Sequence, residues 1–149
     1  MKNALIISVT AVAVVLVGAA IAAANPAARS ATVTTARTGL GRIIVDGRGR
    51  SLYLFEKDAH GRSACSGVCT AYWPPLLTNG RSIAIKGAKP SLLGSIRRAD
   101  GSRQVSYAGH PLYFFSGDTG RGQTNGEGLT DFGAGWYVLA PTGKKIDRD

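Results

Sequence analysis

A motif of large apolar and aromatic residues occurs twice in the chain at a spacing of sixty residues. Its two copies occupy residues 52–58 and 112–118. The matched positions are Val45, Gly49, Leu52, Tyr53, Phe55 and Asp58 in the first copy and Val105, Gly109, Leu112, Tyr113, Phe115 and Asp118 in the second. Trp73 follows the first copy, and Trp136 follows the second. Self-similarity at a fixed spacing means that one supersecondary unit is used twice, and neither copy buries its apolar face alone.

The N-terminus carries an export signature. Residues 4–24 contain no charged side chain, follow Lys2 and end in three alanines. This pattern is typical of a cleaved signal peptide with a small-residue cleavage site. The stretch is also long enough to cross a bilayer as a retained N-terminal anchor. With either alternative the remainder of the chain is exported. Residues 25–40 are rich in Ala, Thr and Arg, and we expect them to form a flexible tether.

The folded domain is located by its aromatic residues. All eleven lie between Tyr53 and Tyr137. We therefore predict a single two-repeat domain over residues 41–141, which is long enough for one modest core. Repeat A covers about residues 41–77 and repeat B about 94–141. Residues 142–149 would form a basic C-terminal tail.

Strand signals dominate this domain. Residues 43–45 and 52–55 flank an Asp-Gly turn and predict one hairpin, and residues 94–98 and 103–107 predict another. Successive apolar residues in both motif strands indicate that each is covered on both faces. The predicted fold class is mainly β, a small barrel or sandwich built from two related β-hairpin repeats.

Three further segments complete the secondary-structure prediction. Residues 63–73 would form at most one short helix, stopped by Pro74-Pro75 because proline lacks the backbone donor. Residues 117–135 hold seven glycines and predict a long irregular loop. A strand over residues 136–139 follows this loop.

The two cysteines, Cys65 and Cys69, predict a disulfide, because an exported chain meets an oxidising environment. The loop between them is so short that the bridge would rigidify a turn more than it stabilises the whole fold. A zinc site from these cysteines with His60 and His110 is a weak alternative, since the spacing is unlike the usual patterns.

Asp58 and Asp118 follow the two motif strands at the same place. One hypothesis pairs them across the repeats as a metal or acid/base dyad. The other has each carboxylate accept backbone N–H groups in the turn that leaves its strand. Repetition favours the second hypothesis, because a repeated fold needs the same turn twice. Tyr53 and Tyr113 share a face with the motif phenylalanines, and each hydroxyl will require a partner when buried. We predict no catalytic residues and no cofactor.

The formal net charge is +9, and it is +8 without residues 1–24. The basic residues are scattered, and their close pairs are Arg48/Arg50, Arg97/Arg98 and Lys144/Lys145. An exported protein does not normally meet nucleic acid. A basic surface would instead be attracted to anionic wall polymers or lipid head groups, through a long-range effect that salt screens.

Several segments together resemble one bacterial family. They are residues 52–58, 65–69, 73–76, 104–109 and 111–115. These motifs are similar to those of the bacterial secreted-repeat proteins, which are predicted lipoproteins with a Tyr-x-(Phe/Trp/Tyr)-x-x-Asp motif. The resemblance covers about residues 41–141 and implies an extracytoplasmic location without implying an activity. No cysteine lies between Met1 and Ala64, so we expect that this chain is not lipidated.

Two functional hypotheses follow. The first is a non-enzymatic binding or structural module of the cell envelope, which binds a partner through the Gly-rich loop and the aromatic residues around Trp73 and Trp136. The second is a redox or metal-handling envelope protein that uses Cys65 and Cys69 or the His and Asp residues.

Overall fold

The computed structural model describes residues 30–59 and 61–148. The predicted signal peptide or anchor and His60 lie outside the described residues. Within the described ranges, no helix is long and apolar enough to cross a membrane.

The described residues form short strands, one α-helix and one 3-10 turn. In chain order they are β1 (Thr32–Thr38), β2 (Gly41–Asp46), β3 (Tyr53–Phe55), α1 (Val68–Tyr72), β4 (Ile83–Ala84), the 3-10 turn (Pro90–Leu92), β5 (Leu93–Arg97), β6 (Arg103–Tyr107), β7 (His110–Pro111), β8 (Thr130–Asp131) and β9 (Ala134–Val138). The strands make three small sheets, with the orders β2-β1-β4, β3-β9-β8 and β5-β6-β7. The fold is therefore mainly β and sandwich-like, as predicted.

Strand β1 corrects the predicted tether. Residues 32–38 pair antiparallel with β2, from Val33 opposite Asp46 to Thr38 opposite Gly41. Val33 is fully buried. The β-branched residues of this segment suit a pleated, half-buried surface. The flexible-tether prediction is therefore wrong for this segment, because it forms the central strand of its sheet, between β2 and β4.

The motif strands lie at the centre of the molecule, and the first of them extends beyond the predicted first hairpin. Strand β3 pairs antiparallel with β9, and Tyr53 also pairs with Tyr113 of the second motif. On its other side Tyr113 pairs with Pro75. The predicted first hairpin forms only next to its turn, where Asp46 N donates to Arg50 O, Val45 bridges Ser51, and Leu52 N donates to Ile44 O. The hairpin over residues 93–107 does form, as β5 and β6.

The two repeats correspond with a one-residue shift in their first strands. Leu52 donates its backbone N–H to Ile44 O, and Leu112 donates to Val105 O. Ile44, and not Val45, therefore corresponds to Val105. A shift of one residue moves a side chain to the opposite face of a strand. Ile44 and Val105 accordingly share one apolar cluster, while Val45 belongs to the other.

The buried side chains form two clusters. The aliphatic core consists of Ala31, Val33, Ile44, Leu52, Leu54, Leu76, Ala88, Val105, Tyr107, Leu112 and Leu139. The aromatic core consists of Ile43, Val45, Tyr53, Phe55, Cys65, Cys69, Trp73, Tyr113, Trp136 and Val138. The motif strands alternate between the clusters, with their tyrosines and phenylalanines in or against the aromatic core. This agrees with the prediction that both faces of these strands are covered.

Helix α1 is shorter than predicted, and the C-terminal residues are more ordered than predicted. Helix α1 begins only after Gly67, which has a positive φ of 58°. It ends before Pro74, as expected from the missing proline donor. The C-terminal residues return to the domain and do not form a free tail over 142–148. Ile146 donates its N–H to Val138 O at 2.9 Å and packs against the aromatic core.

Candidate functional site

The two motif tyrosines meet where the repeats cross. Tyr53 N donates to Tyr113 O at 2.8 Å, and Tyr113 N donates to Tyr53 O at 3.0 Å. Both side chains are fully buried. This reciprocal backbone pair joins equivalent residues and marks the centre of the repeat symmetry.

Each tyrosine hydroxyl binds the aspartate of the other repeat. Tyr53 Oη donates to Asp118 Oδ2 at 2.6 Å, and Tyr113 Oη donates to Asp58 Oδ2 at 2.8 Å. The remaining carboxylate oxygens accept backbone N–H groups from the loops that follow, at 2.7 Å from Ala64 and 2.9 Å from Asn125. The backbone bonds are those of the turn hypothesis. The sequence predicted that each tyrosine hydroxyl needs a partner. It did not predict that the partner is the aspartate of the other repeat.

Burial sets the protonation of these pairs. Burial raises the pKa of both Asp58 and Asp118, while hydrogen bonds to their carboxylates oppose the shift. Burial also raises the pKa of Tyr53 and Tyr113 well above the usual value, and the partner carboxylate, Asp118 or Asp58, adds to each shift. Both hydroxyls therefore remain donors, and each pair acts as a fixed link between the loop of one repeat and the core strand of the other.

Four aromatic rings stack behind the tyrosines. Trp73 and Trp136 lie face to face with centroids 3.9 Å apart, and Phe55 stacks on Trp136 at 4.0 Å. Phe115 covers the other side of Trp73 at 4.5 Å. Both tryptophans are fully buried. Trp73 and Trp136 themselves therefore offer no surface to a partner, because the stack forms the centre of the core, whereas the nearby Tyr72 and Phe132 are exposed.

The Gly-rich loop closes over this stack. A Cβ atom at Gly126 would lie 2.7 Å from the Trp73 ring, so only glycine lets the backbone pass there. Two side chains of the loop also bind backbone N–H groups. Glu127 Oε2 accepts the N–H of Val138 at 2.7 Å, and Gln123 Oε1 accepts the N–H groups of Thr119 and Gly120. The loop thus serves mainly as a lid on the aromatic core.

The cysteines form the predicted disulfide, Cys65–Cys69. Both are buried in the aromatic core beside Trp73. The bridge closes the turn that leads into α1, where Trp73 N donates to Cys69 O at 2.8 Å. Its position agrees with a local, rigidifying role.

Arg98 is a buried residue that the sequence analysis missed. Its guanidinium donates to Ser63 Oγ, Gln104 Oε1 and the Cys65 carbonyl oxygen at 2.6–2.9 Å. Ser63 Oγ lies 2.7 Å from Tyr113 Oη, so the network reaches the Tyr113–Asp58 pair. The available signal was strand alternation, since two adjacent arginines at a strand end point to opposite faces and one of these faces packs on the core.

His110 lies half-buried in β7, and burial lowers its pKa. It shares a hollow of about 360 Å³ with Asp58, Glu56 and Lys145. No group of three His, Cys, Asp or Glu side chains in the described ranges is arranged to hold a metal ion. His60 lies outside those ranges.

The comparison with protein families follows the repeat. The family model described as a secreted repeat of unknown function, Lipoprotein_15, matches residues 34–77 and 94–140. Neither a curated protein nor a solved structure matches the chain. The two matched stretches together include both motif strands, both tryptophans and the disulfide. The first stretch begins within β1. The chain therefore belongs to the Lipoprotein_15 family of secreted repeats and is an exported protein.

Proposed function

We propose that this protein is a non-enzymatic binding or structural module of the cell envelope, with an anionic envelope component as its partner. The repeated polar residues support this proposal, because their chemistry is directed inward. Tyr53 and Tyr113 bind Asp118 and Asp58, and the remaining oxygens of these carboxylates accept loop N–H groups. These hydroxyl and carboxylate groups hold the two repeats together, and their hydrogen-bonding capacity is used by one another and by the loops.

The observation that carries the proposal is the charge distribution along the chain. Residues 59–117 contain seven basic residues and a single acidic one, Asp100. The basic residues are Arg62, Arg81, Lys86, Lys89, Arg97, Arg98 and Arg103. Arg98 is buried, and the other six are exposed. An unbalanced positive surface attracts polyanions and accelerates their encounter in a salt-dependent way.

Sedimentation with native envelope fragments tests this function. The purified exported form should pellet with the fragments at low salt, and the bound fraction should fall steadily as salt is added. A mild detergent wash separates attachment through a retained anchor from attachment through the folded domain. Absence of any salt-sensitive bound fraction would contradict the proposal.

The proposal includes attachment without a lipid. Residues 1–64 contain no cysteine that could be acylated. Labelling cells with a radioactive fatty acid should therefore leave the protein unlabelled. N-terminal sequencing of the exported form should find either Asn25, after cleavage, or the uncleaved start. A labelled residue among the first forty would overturn this part of the proposal.

A further inference from the structure

Strand register places two arginines side by side in each repeat. Arg37 lies opposite Arg42 in the first hairpin, and Arg97 lies opposite Arg103 in the second. All four side chains are exposed. Like charges directly opposite each other on antiparallel strands destabilise the pair. Each hairpin therefore carries a charge arrangement that works against its own stability, and the separation of these residues in sequence concealed it.

The same hydroxyl position orients one arginine of each pair. Arg42 Nη1 donates to Thr35 Oγ1 at 3.1 Å, and Arg103 Nη1 donates to Ser95 Oγ at 3.0 Å. Thr35 and Ser95 occupy equivalent positions, because they lie opposite Ile44 and Val105 in the two hairpins. The arrangement thus recurs as a unit of two arginines and one hydroxyl. It belongs to the repeat and is not part of a general scatter of basic residues.

Neither arginine pair is neutralised within the described part of the chain. The ion pairs there are Arg50–Asp46, Lys145–Glu56 and Lys145–Asp147. One further cation lies near the second pair. Arg81 lines the same hollow of about 860 Å³ as Arg103 and Ser95, and no carboxylate lines it. At the first pair, Thr35 Oγ1 donates to the carbonyl oxygen of Lys86 at 2.6 Å.

We propose that each arginine pair is a binding site for a phosphate group of the anionic envelope component. This inference rests on the proposed envelope-binding function and assigns its contact residues. Guanidinium groups bind phosphate through two parallel N–H bonds. Two adjacent guanidinium groups offer more donors than one carboxylate accepts, which favours phosphate.

Long-chain inorganic polyphosphate is the probe for the soluble form of this ligand. The exported protein is titrated as wild type and as the pair variants R37Q/R42Q and R97Q/R103Q. A third variant, R62Q/K144Q, removes the same charge from exposed positions outside the pairs. Each pair variant should bind roughly tenfold more weakly or worse, as expected when charged hydrogen bonds are lost. The control should remain within about threefold of wild type, since it loses only long-range attraction.

Thermal melts exclude loss of folding as the cause. Because each pair variant removes a like-charge contact, its Tm should equal or exceed that of the wild type. The conservative variant Arg42→Lys supplies a second measurement. It keeps the charge but lacks the planar fork, and it should show most of the affinity loss of the R37Q/R42Q variant.

Vesicles distinguish the source of the phosphate. Phosphatidylcholine vesicles with phosphatidylglycerol present lipid phosphate with a net negative charge, and pure phosphatidylcholine vesicles are the control. Binding to the anionic vesicles that depends on both pairs, with weaker binding to polyphosphate, assigns the sites to lipid head groups.

Equal losses in the pair variants and the R62Q/K144Q control would overturn the two sites and leave the proposed function intact. Wild-type protein that binds envelope fragments and polyglutamate, but neither phosphate probe, would overturn the phosphate assignment. Failure to bind envelope fragments at all would instead contradict the proposed function.

Discussion

The two tyrosine–aspartate pairs occupy equivalent positions but have different neighbours. Tyr53 Oη, besides its bond to Asp118, accepts only a long bond of 3.3 Å from the N–H of Gly126. Tyr113 Oη contacts Asp58 and Ser63, and through Ser63 it joins the guanidinium of Arg98. One pair is thus enclosed by backbone and apolar groups, and the other belongs to a buried polar network.

A substitution between the repeats accounts for this difference. Gln104, which accepts a bond from Arg98, immediately precedes Val105, and Ile43 immediately precedes the equivalent Ile44. Ile43 is fully buried in the aromatic core. The repeat therefore requires the tyrosine, the aspartate and the stacked rings. The neighbouring position accepts either an apolar side chain or an amide that holds a buried arginine.

Substitution of the tyrosines should have the largest effect on the free energy of unfolding, and this effect should differ least between the two repeats. Tyr53→Ala and Tyr113→Ala each remove a buried ring, at a cost on the order of 3–5 kcal/mol in the free energy of unfolding. Either loss is large relative to a typical domain stability of about 5–15 kcal/mol. Chemical denaturation measures both, with Tyr72→Ala as the control because Tyr72 is 53% exposed. A mild effect at only one tyrosine would break the equivalence of the repeats.

Substitution of Arg98 should distinguish the stability of the two tyrosine–aspartate pairs most clearly. Arg98→Ala leaves Ser63, Gln104 and the Cys65 carbonyl group without their donor, and each unsatisfied buried group costs about 1–3 kcal/mol. Arg97→Ala is the matched control one residue away. Its side chain is exposed, and we expect a change within about 0.5 kcal/mol. Equal urea midpoints for the two variants would show that the network adds no stability to its half.

The disulfide, which only the first repeat contains, should have a smaller effect. The C65A/C69A variant loses a crosslink across a very short loop, which the chain-entropy relation places at about 2 kcal/mol. Mass spectrometry of the unreduced exported protein should detect no free thiol. Two thiols that react readily in the native protein would favour the redox alternative, and bound zinc found by elemental analysis would favour the metal-handling one.

The aspartates should give the smallest effect, with a defined pH dependence. Asp58→Asn and Asp118→Asn retain an amide oxygen for the turn and should cost about 1 kcal/mol. Because both carboxyl pKa values are raised in the folded protein, their protonation favours the folded state. Wild-type stability relative to each Asn variant should therefore be greatest below the ordinary pKa of 3.8 and should fall as the pH rises through the raised value.

The Asp100→Asn variant should reveal a pH dependence of stability with the opposite sign in the same experiment. Hydrogen bonds from Ser102 lower the pKa of the exposed Asp100 carboxyl. Wild-type stability relative to this variant should therefore increase with pH above the lowered pKa. Asn variants of Asp58 and Asp118 that fold normally but lose a bound metal would instead support the dyad hypothesis.

The sequence by itself determined those features that depend on residue pattern and local chemistry. The spaced motif indicated a doubled unit, and apolar runs between turn residues indicated a mainly β fold. Two cysteines in an exported chain predicted the Cys65–Cys69 bridge, and the ends of β5 and β6 followed from the turn at Asp100-Gly101. These predictions succeeded because strand periodicity, turn chemistry and redox environment act over a few neighbouring residues.

Only the tertiary structure decided which distant groups meet. Strand β1 was mistaken for a tether because its polar, Thr-rich composition does not reveal that it pairs with β2 on one side and β4 on the other. Aromatic residues around Trp73 and Trp136 were predicted to bind a partner, yet stacking places the two tryptophans themselves at the centre of the core. The tyrosine–aspartate exchange and the inward turn of Arg98 depend on the packing and crossing of the two repeats. Register is set by the burial of whole faces, which is a property of the packed molecule and not of any single segment.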